Sequence, residues 1–171
     1  MSFKYEDYDG DEGIQRFAEI AIDFDFGPHL PKASFPDDFV AAYVSQFDDA
    51  GDEDEYFLSY YPDGPLIVML ETIDTPRHIH SQNYILSESQ YAERGSVILP
   101  PGHYSFGSGV DDRGHLQLMV NLREDDPDRG KIYTWRRAYD PIGEGDNAEP
   151  PGVCADSLAQ FLKRLAPRHA L

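Results

Sequence analysis

Two histidines, His78 and His80, have the spacing that comes nearest to metal chemistry in this sequence. Side chains two residues apart leave the same face of a β-strand, so a strand here would present both imidazoles to one zinc ion. No third ligand is evident nearby. Thr75 and Pro76 before the pair, and the amides at 82–83 after it, favour a strand edge or a loop. A metal-dependent hydrolase that uses His78 and His80 is therefore only the enzyme alternative.

The acidic clusters do not match a calcium-binding loop. An EF-hand loop needs acids at positions 1, 3 and 5, glycine at position 6 and glutamate at position 12. Counted from Asp126, position 5 is Gly130 and position 12 is Arg137. A count from Asp9 fails in the same way, and we predict no metal site.

Two further motifs also lack the partners that their chemistry needs. The Gly-Ser-Gly sequence at 107–109 resembles part of a phosphate loop, but no Lys-Ser or Lys-Thr follows, and Asp111 and Asp112 would repel phosphate. Cys154 lies before a predicted helix, whose N-terminus can lower a thiol pKa, yet no histidine is near it in sequence. We expect Cys154 to be a small apolar residue at the helix entrance. The sequence therefore predicts no catalytic residue and no cofactor.

The strongest compositional signal is acidity. The chain of 171 residues has 32 acidic and 14 basic residues, a net charge of −18. Residues 1–60 hold 16 of the acids and three of the bases, which gives −13 there and −5 in the remainder. Such a field repels phosphate backbones and anionic membranes and attracts cationic partners. Nucleic-acid binding and membrane binding are not expected.

The acidity has three open explanations, which are a solvated surface, a partner-binding surface and adaptation to salt. The single cysteine excludes an intramolecular disulfide, and the first residues lack a basic region followed by an apolar one. The apolar runs are too short to span a bilayer. We expect a cytoplasmic protein.

Helical spacing and capping residues predict about four helices. Apolar residues recur at helical spacing in 12–24, and a Ser-Phe-Pro-Asp start predicts a helix at 36–47. A capping-box sequence predicts a short helix at 87–94. Asp156 is the predicted cap of a last helix. Its apolar face would consist of Leu158, Phe161, Leu162 and Leu165.

Runs rich in β-formers predict a sheet. Residues 56–61 and 66–72 flank Pro-Asp-Gly-Pro and should form a hairpin. Further strands are predicted at 97–99, 104–107, 116–122 and 131–137, and residues 138–152 should form a loop. Alternation in the strands at 116–122 and 131–137 predicts a core side and a wetter side, the latter around Tyr133 and Trp135, although Trp135 could equally lie in the core.

These elements predict one α+β domain spanning 1–171, with 1–11 flexible. Its sheet should be mixed or mostly antiparallel and packed by about four helices. The length suits a single sizeable core. We found no internal repeat that would divide the chain.

Several segments of the chain resemble one known family when they are taken in order. They are Phe-Gly-Ser-Gly at 106–109, the strand at 116–122, Gly-Lys-Ile-Tyr-Thr-Trp at 130–135 and Ala-Asp-Ser-Leu-Ala-Gln-Phe-Leu at 155–162. Together with the Phe-Pro-led helix that starts near 35 and the glycine at 51, they resemble the SUKH superfamily, or SMI/KNR-type domain. The resemblance covers the last third of the chain and this helix, and does not extend to 62–99.

The resemblance implies an α+β fold without a family catalytic residue. Many bacterial members are immunity proteins that bind and block toxin domains, often nucleases, and fungal members regulate cell-wall synthesis. A nuclease presents a basic surface, which an acidic protein complements. We therefore expect a non-enzymatic protein that neutralises a basic toxin domain of the nuclease type, with a scaffold or regulator of the SMI/KNR type as the alternative. The predicted contact residues are Asp48, Asp49, Asp52, Glu53, Asp54, Glu55, Tyr133 and Trp135.

Overall fold

The structure, a computed structural model, describes residues 34–45, 54–88, 99–100, 102–136 and 150–171. In these residues the chain forms three α-helices, six β-strands and a terminal 3-10 helix. The helices are α1 (Asp37–Ser45), α2 (Pro76–Glu88) and α3 (Leu158–Lys163), and the 3-10 helix is Arg168–Ala170. The strands are β1 (Tyr56–Tyr61), β2 (Gly64–Ile73), β3 (His103–Asp111), β4 (Gly114–Asn121), β5 (Ile132–Trp135) and β6 (Gly152–Ala155).

The six strands form a closed antiparallel barrel in chain order. Each strand pairs with the next one, and β6 pairs with β1 where Val153 lies opposite Tyr60. The α+β class and the antiparallel sheet are thus confirmed. The described residues contain three α-helices rather than about four, and the helix predicted at 12–24 lies outside them.

Two tight turns connect neighbouring strands, and the first of them confirms the hairpin predicted from Pro-Asp-Gly-Pro. The β1–β2 hairpin turns at residues 62–63, and the β3–β4 hairpin turns at residues 112–113. Gly64 and Gly114 follow these turns with φ values of 124° and 120°, a region that residues with a Cβ rarely adopt. Both hairpins lie at the same end of the barrel.

The region around His78 is helical, so the predicted strand edge or loop is wrong. Pro76 occupies the first helical position of α2, where its missing N–H costs nothing. Thr75 caps the helix, because its hydroxyl accepts a hydrogen bond from the N–H of His78 at 3.2 Å. Residues 87–88 of the capping-box helix predicted at 87–94 are helical, as the last residues of α2, and residues 89–94 lie outside the described residues.

The strand β6 was missed, because four residues after a long polar stretch resemble the end of a loop. The cap of α3 also differs by one residue from the prediction. Ser157, not Asp156, is the N-cap, and its hydroxyl accepts from the N–H of Gln160 at 3.2 Å. The Gln160 side chain accepts in turn from the N–H of Asp156 at 2.7 Å.

Helices α1 and α3 pack at the barrel end opposite the two tight turns. The ring of Phe161 on α3 meets the ring of Phe57 on β1 edge to face at 4.9 Å between centroids. Phe39 on α1 meets Phe106 on β3 in the same way at 5.4 Å. The Tyr43 hydroxyl donates a hydrogen bond to the carbonyl oxygen of Asp74. These aromatic contacts join both helices to the strands.

Helix α2 lies against the outside of β3 through Asn83. The Asn83 side-chain amide donates to the carbonyl oxygen of Ser105 at 2.7 Å and accepts from the Ser105 N–H at 2.9 Å. The pairing of β2 with β3 ends at Ile73 and Gly107, so Asn83 bonds a part of β3 beyond that register. On the outside of β4, His115 is exposed and Gln117 half-buried, whereas Met119 and Asn121 are buried, so the predicted wetter side is confirmed only for the first part of this strand.

The segment after α3 returns to β1 and reinforces the junction with β6. Tyr56 and Ala166 exchange two backbone hydrogen bonds, of 2.8 and 3.0 Å. The Arg164 guanidinium donates to the carbonyl oxygen of Cys154 at 2.8 Å. The C-terminal residues therefore bond both to the start of β1 and to β6.

Candidate functional site

The structure describes two residues of the predicted acidic contact segment. Asp54 and Glu55 are exposed and directly precede β1. The Glu55 carbonyl oxygen accepts a hydrogen bond from the N–H of Leu70 at 2.8 Å, so the backbone of this segment enters the sheet as an extension of β1. The other predicted acids, Asp48, Asp49, Asp52 and Glu53, lie outside the described residues.

The aromatic contact residues predicted on β5 do not form an exposed surface. Trp135 is only 2% exposed and belongs to the core. Tyr133 is half-buried, with its ring 5.2 Å from that of His103 at an angle of 78°. Of the two positions left open for Trp135, the structure shows the core one, while Tyr133 on the same outer side of β5 remains partly exposed.

The exposed apolar surface lies instead on β6, β1 and β2. Among the described residues, four large apolar side chains are exposed: Tyr60, Ile67, Val153 and Leu171. Tyr60 is 50% exposed, and Ile67 and Val153 are each 39% exposed. The first three lie on adjacent strands, while Leu171 is the last residue of the chain.

The strand register places these side chains on one outer face. Val153 and Pro65 lie opposite Tyr60, on its two sides. Ile67 is two residues from Pro65 and lies opposite Leu58. Side chains on opposed residues are about 5 Å apart, so the outward side chains of β6, β1 and β2 form one continuous surface. We call this surface the Tyr60 face, and its residues are Tyr56, Leu58, Tyr60, Pro65, Ile67, Met69 and Val153.

The inward partners of β1 explain why Tyr60 points outward. Phe57 and Ser59 are buried inside the barrel, and alternation therefore sends Tyr60 to the outside. The Ser59 hydroxyl lies 2.5 Å from the Thr134 hydroxyl, and the Tyr61 hydroxyl lies 2.8 Å from the same oxygen. A register slip of one residue would bury the Tyr60 phenol where a small hydroxyl is required.

Acidic side chains flank the Tyr60 face at both ends of β1. Asp54 and Glu55 precede the strand, and the exposed Asp63 lies in the turn that follows it. One cation is also nearby, since the Arg168 guanidinium lies 6.0 Å from the centre of the Tyr56 ring. The face therefore combines an apolar centre with an acidic rim, which is the arrangement of many protein-binding surfaces.

The barrel interior at the hairpin end is polar and filled by its own side chains. Arg136 donates a hydrogen bond to the Asp111 carboxylate at 2.5 Å, and the Asp111 side chain is almost fully buried. Gly152 has no room for a Cβ, because the Tyr61 ring carbons lie 2.5 and 2.6 Å from that position. Burial raises the pKa of Tyr61 above its usual value. Arg136 binds Asp111 here, and Tyr61 lies within hydrogen-bond distance of Thr134, so polar pairs occupy this end of the barrel.

Cys154 is not placed for nucleophilic chemistry. It lies in β6 with its side chain inside the barrel, and burial raises the pKa of its thiol to about 12. The thiolate is the reactive form, and it is nearly absent at neutral pH at such a pKa. Cys154 is therefore a buried apolar residue, in a strand rather than at a helix entrance.

The two histidines of the metal hypothesis do not share a face. His78 and His80 are both in α2, where residues two apart point about 200° away from each other. No group of three potential metal-binding side chains occurs among the described residues. The strand on which the proposed pair depended does not exist.

Sequence reasoning missed the Tyr60 face, although the sequence carries a signal for it. Tyr56, Leu58 and Tyr60 alternate with Phe57 and Ser59, so both sides of the strand carry large apolar groups. Ser59 between Leu58 and Tyr60 makes its own side of the strand the less bulky one. Val153 could not have been included in this way, since its strand was interpreted as a loop.

Comparisons with known proteins found no match, whether with family models, with curated proteins or with solved structures. The SUKH resemblance therefore remains a prediction from the sequence. None of the helices in the described ranges is long and apolar enough to cross a membrane.

Proposed function

We propose that the protein is a non-enzymatic, cytoplasmic immunity protein of the SUKH type, which neutralises a basic, nuclease-type bacterial toxin by direct binding. The observation that carries the proposal is the Tyr60 face, an exposed apolar surface with acids at both ends of its central strand. Isolated apolar residues on a surface are ordinary, but a contiguous patch on adjacent strands is a mark of protein contact.

Charge supports a basic partner. A net charge of −18 produces a negative field that accelerates the approach of a cationic protein and slows the approach of an anionic one. A toxin that acts on nucleic acid has a basic surface by necessity, because it must approach phosphates. Occupation of that surface by an acidic protein would exclude the substrate.

Growth protection tests the proposal. The toxin encoded beside the gene is expressed in cells with and without this protein, and with an unrelated protein of similar negative charge as the control. We expect growth to be restored by this protein and not by the control, because charge alone does not supply the complementary contact. Toxicity that persists although both proteins are folded and abundant would contradict the proposal.

A further inference from the structure

We infer that the Tyr60 face is the dry centre of the partner contact, and that its occupant is a basic protein surface with apolar side chains at its middle. This inference rests on the proposed function, and adds which residues bind and what each set contributes. Tyr60, Ile67 and Val153 form the centre, and Asp54, Glu55 and Asp63 form the rim.

A second copy of the chain fits this face poorly. Two copies would each bring a charge of −18, and the acids at both ends of β1 would approach one another. Like charges placed opposite each other across an interface cost several kcal/mol. A cationic partner turns the same rim into favourable pairs, so the charge selects a different protein over a second copy.

The backbone of the centre is held by strand pairing before any partner arrives. Tyr60 lies between Pro65 and Val153 in paired strands of a closed barrel, and the inward neighbours of Tyr60 are Ser59 and the half-buried Tyr61. A partner therefore orders few side chains on this surface, which lowers the entropic cost of binding. Tyrosine is also among the residues that contribute most at protein contacts, because it offers a large ring and a polar hydroxyl.

The two sets of residues should act on different rate constants. Apolar contacts form only after docking and slow dissociation, while rim charges act at a distance and accelerate association. The centre variants are Tyr60→Thr and Ile67→Thr, since threonine keeps a high strand propensity. Leu171→Thr is the control of equal exposure, because Leu171 is as exposed as Ile67 and is not on the strands that form the Tyr60 face.

The experiment measures association and dissociation of the purified full-length protein with the purified toxin domain encoded beside its gene. We expect each centre variant to dissociate at least about tenfold faster with association changed less than about threefold, and Leu171→Thr to match the unchanged protein. Thermal unfolding of each variant confirms that it is folded.

The rim variant Asp54→Asn/Glu55→Gln should reduce the association rate constant and its salt dependence, with exposed Glu124→Gln as the control.

The possible failures are distinguishable. Unchanged dissociation in folded centre variants, while the unchanged protein binds tightly, overturns this inference and leaves the proposed function intact. Absence of binding by the unchanged protein overturns the proposed function, and the inference with it. A self-associated protein that Tyr60→Thr converts to a monomer shows that the occupant is a second copy, and also overturns the inference.

Discussion

The pKa of the Cys154 thiol could not be predicted from its position in the sequence. This cysteine precedes a helix, which lowers a thiol pKa when the thiol is exposed to the helix N-terminus. Here its side chain points into the barrel instead, and desolvation raises the pKa to about 12. Burial decides the outcome, and burial depends on a strand that the sequence did not reveal.

We expect the folded protein to resist thiol reagents. At about pH 8 an ordinary cysteine is partly thiolate, whereas Cys154 is almost fully protonated and enclosed. Labelling with iodoacetamide, followed by mass spectrometry, should leave the folded protein unmodified, while the protein in urea should gain one label at its single cysteine. Rapid stoichiometric labelling of the folded protein would show that the barrel does not bury this residue.

Asp74 provides a prediction about pH. Burial raises the pKa of its carboxyl, and the charge of His78 offsets this only in part. The folded state therefore binds the proton more tightly than the unfolded state. Stability is full below the ordinary aspartate pKa and falls as pH rises through the raised value, since the buried carboxylate must then ionise.

Asp74→Asn should thus increase the unfolding temperature at neutral pH, with the gain shrinking towards zero as pH falls below the usual aspartate range. Thermal unfolding across pH measures the difference between the two proteins. Asp112→Asn, in an exposed turn, is the control for removal of a surface charge. A loss of stability at neutral pH, or a gain that grows on acidification, would contradict the account of Asp74.

The exposure of a side chain could be predicted from the sequence where the neighbouring residues decide it. Asp54 and Glu55 belong to a charge run and are exposed as predicted. The choice between surface and core stayed open for Trp135, because its exposure depends on what covers the outer side of β5, and strand alternation cannot supply that information. The outward position of Tyr60 follows once Ser59 is known to lie inside the barrel, because neighbouring side chains on a strand point to opposite sides.

At the scale of elements, the predicted strands and turns with strong local signals are present. The hairpin of β1 and β2 follows from Pro-Asp-Gly-Pro between two β-rich runs. The strand β6 has only four residues, and its pairing with β5 and β1 is a long-range event that no local pattern marks. Barrel closure could not be predicted without it.

Asn83 connects α2 to the sheet, and its loss should be costly. Asn83→Ala leaves the buried N–H and C=O of Ser105 without the amide that binds them, at 2.9 and 2.7 Å. We expect a loss of about 2–4 kcal/mol in the free energy of unfolding, because each unsatisfied buried group costs about 1–3 kcal/mol. Urea unfolding measures the change.

Gln82→Ala is the matched control, since Gln82 is the exposed neighbour on the same helix. Its change should stay within about 0.5 kcal/mol, as is usual for a surface substitution. Equal effects of Asn83→Ala and Gln82→Ala would show that Asn83 does not hold α2 against β3.

At the scale of the whole molecule, the proposed binding function rests on charge and surface chemistry together. The net charge of −18 draws in cations from a distance, and the Tyr60 face offers contact area once a partner has arrived. The net charge could be obtained from the sequence alone, because it is a sum over the charged residues. The face depends on strand register around a closed barrel, which emerges only when all six strands are in place.

The most direct test of the central claim is a titration of toxin activity in vitro. Increasing amounts of the purified protein are added to a fixed amount of the purified toxin domain encoded beside its gene, and the remaining toxin activity is measured at low and high salt. We predict saturable inhibition of the toxin that reaches completion near equimolar protein. Inhibition should weaken when salt rises from about 0.05 M to about 0.5 M, because salt screens the charges. Full toxin activity in the presence of excess folded protein would contradict it.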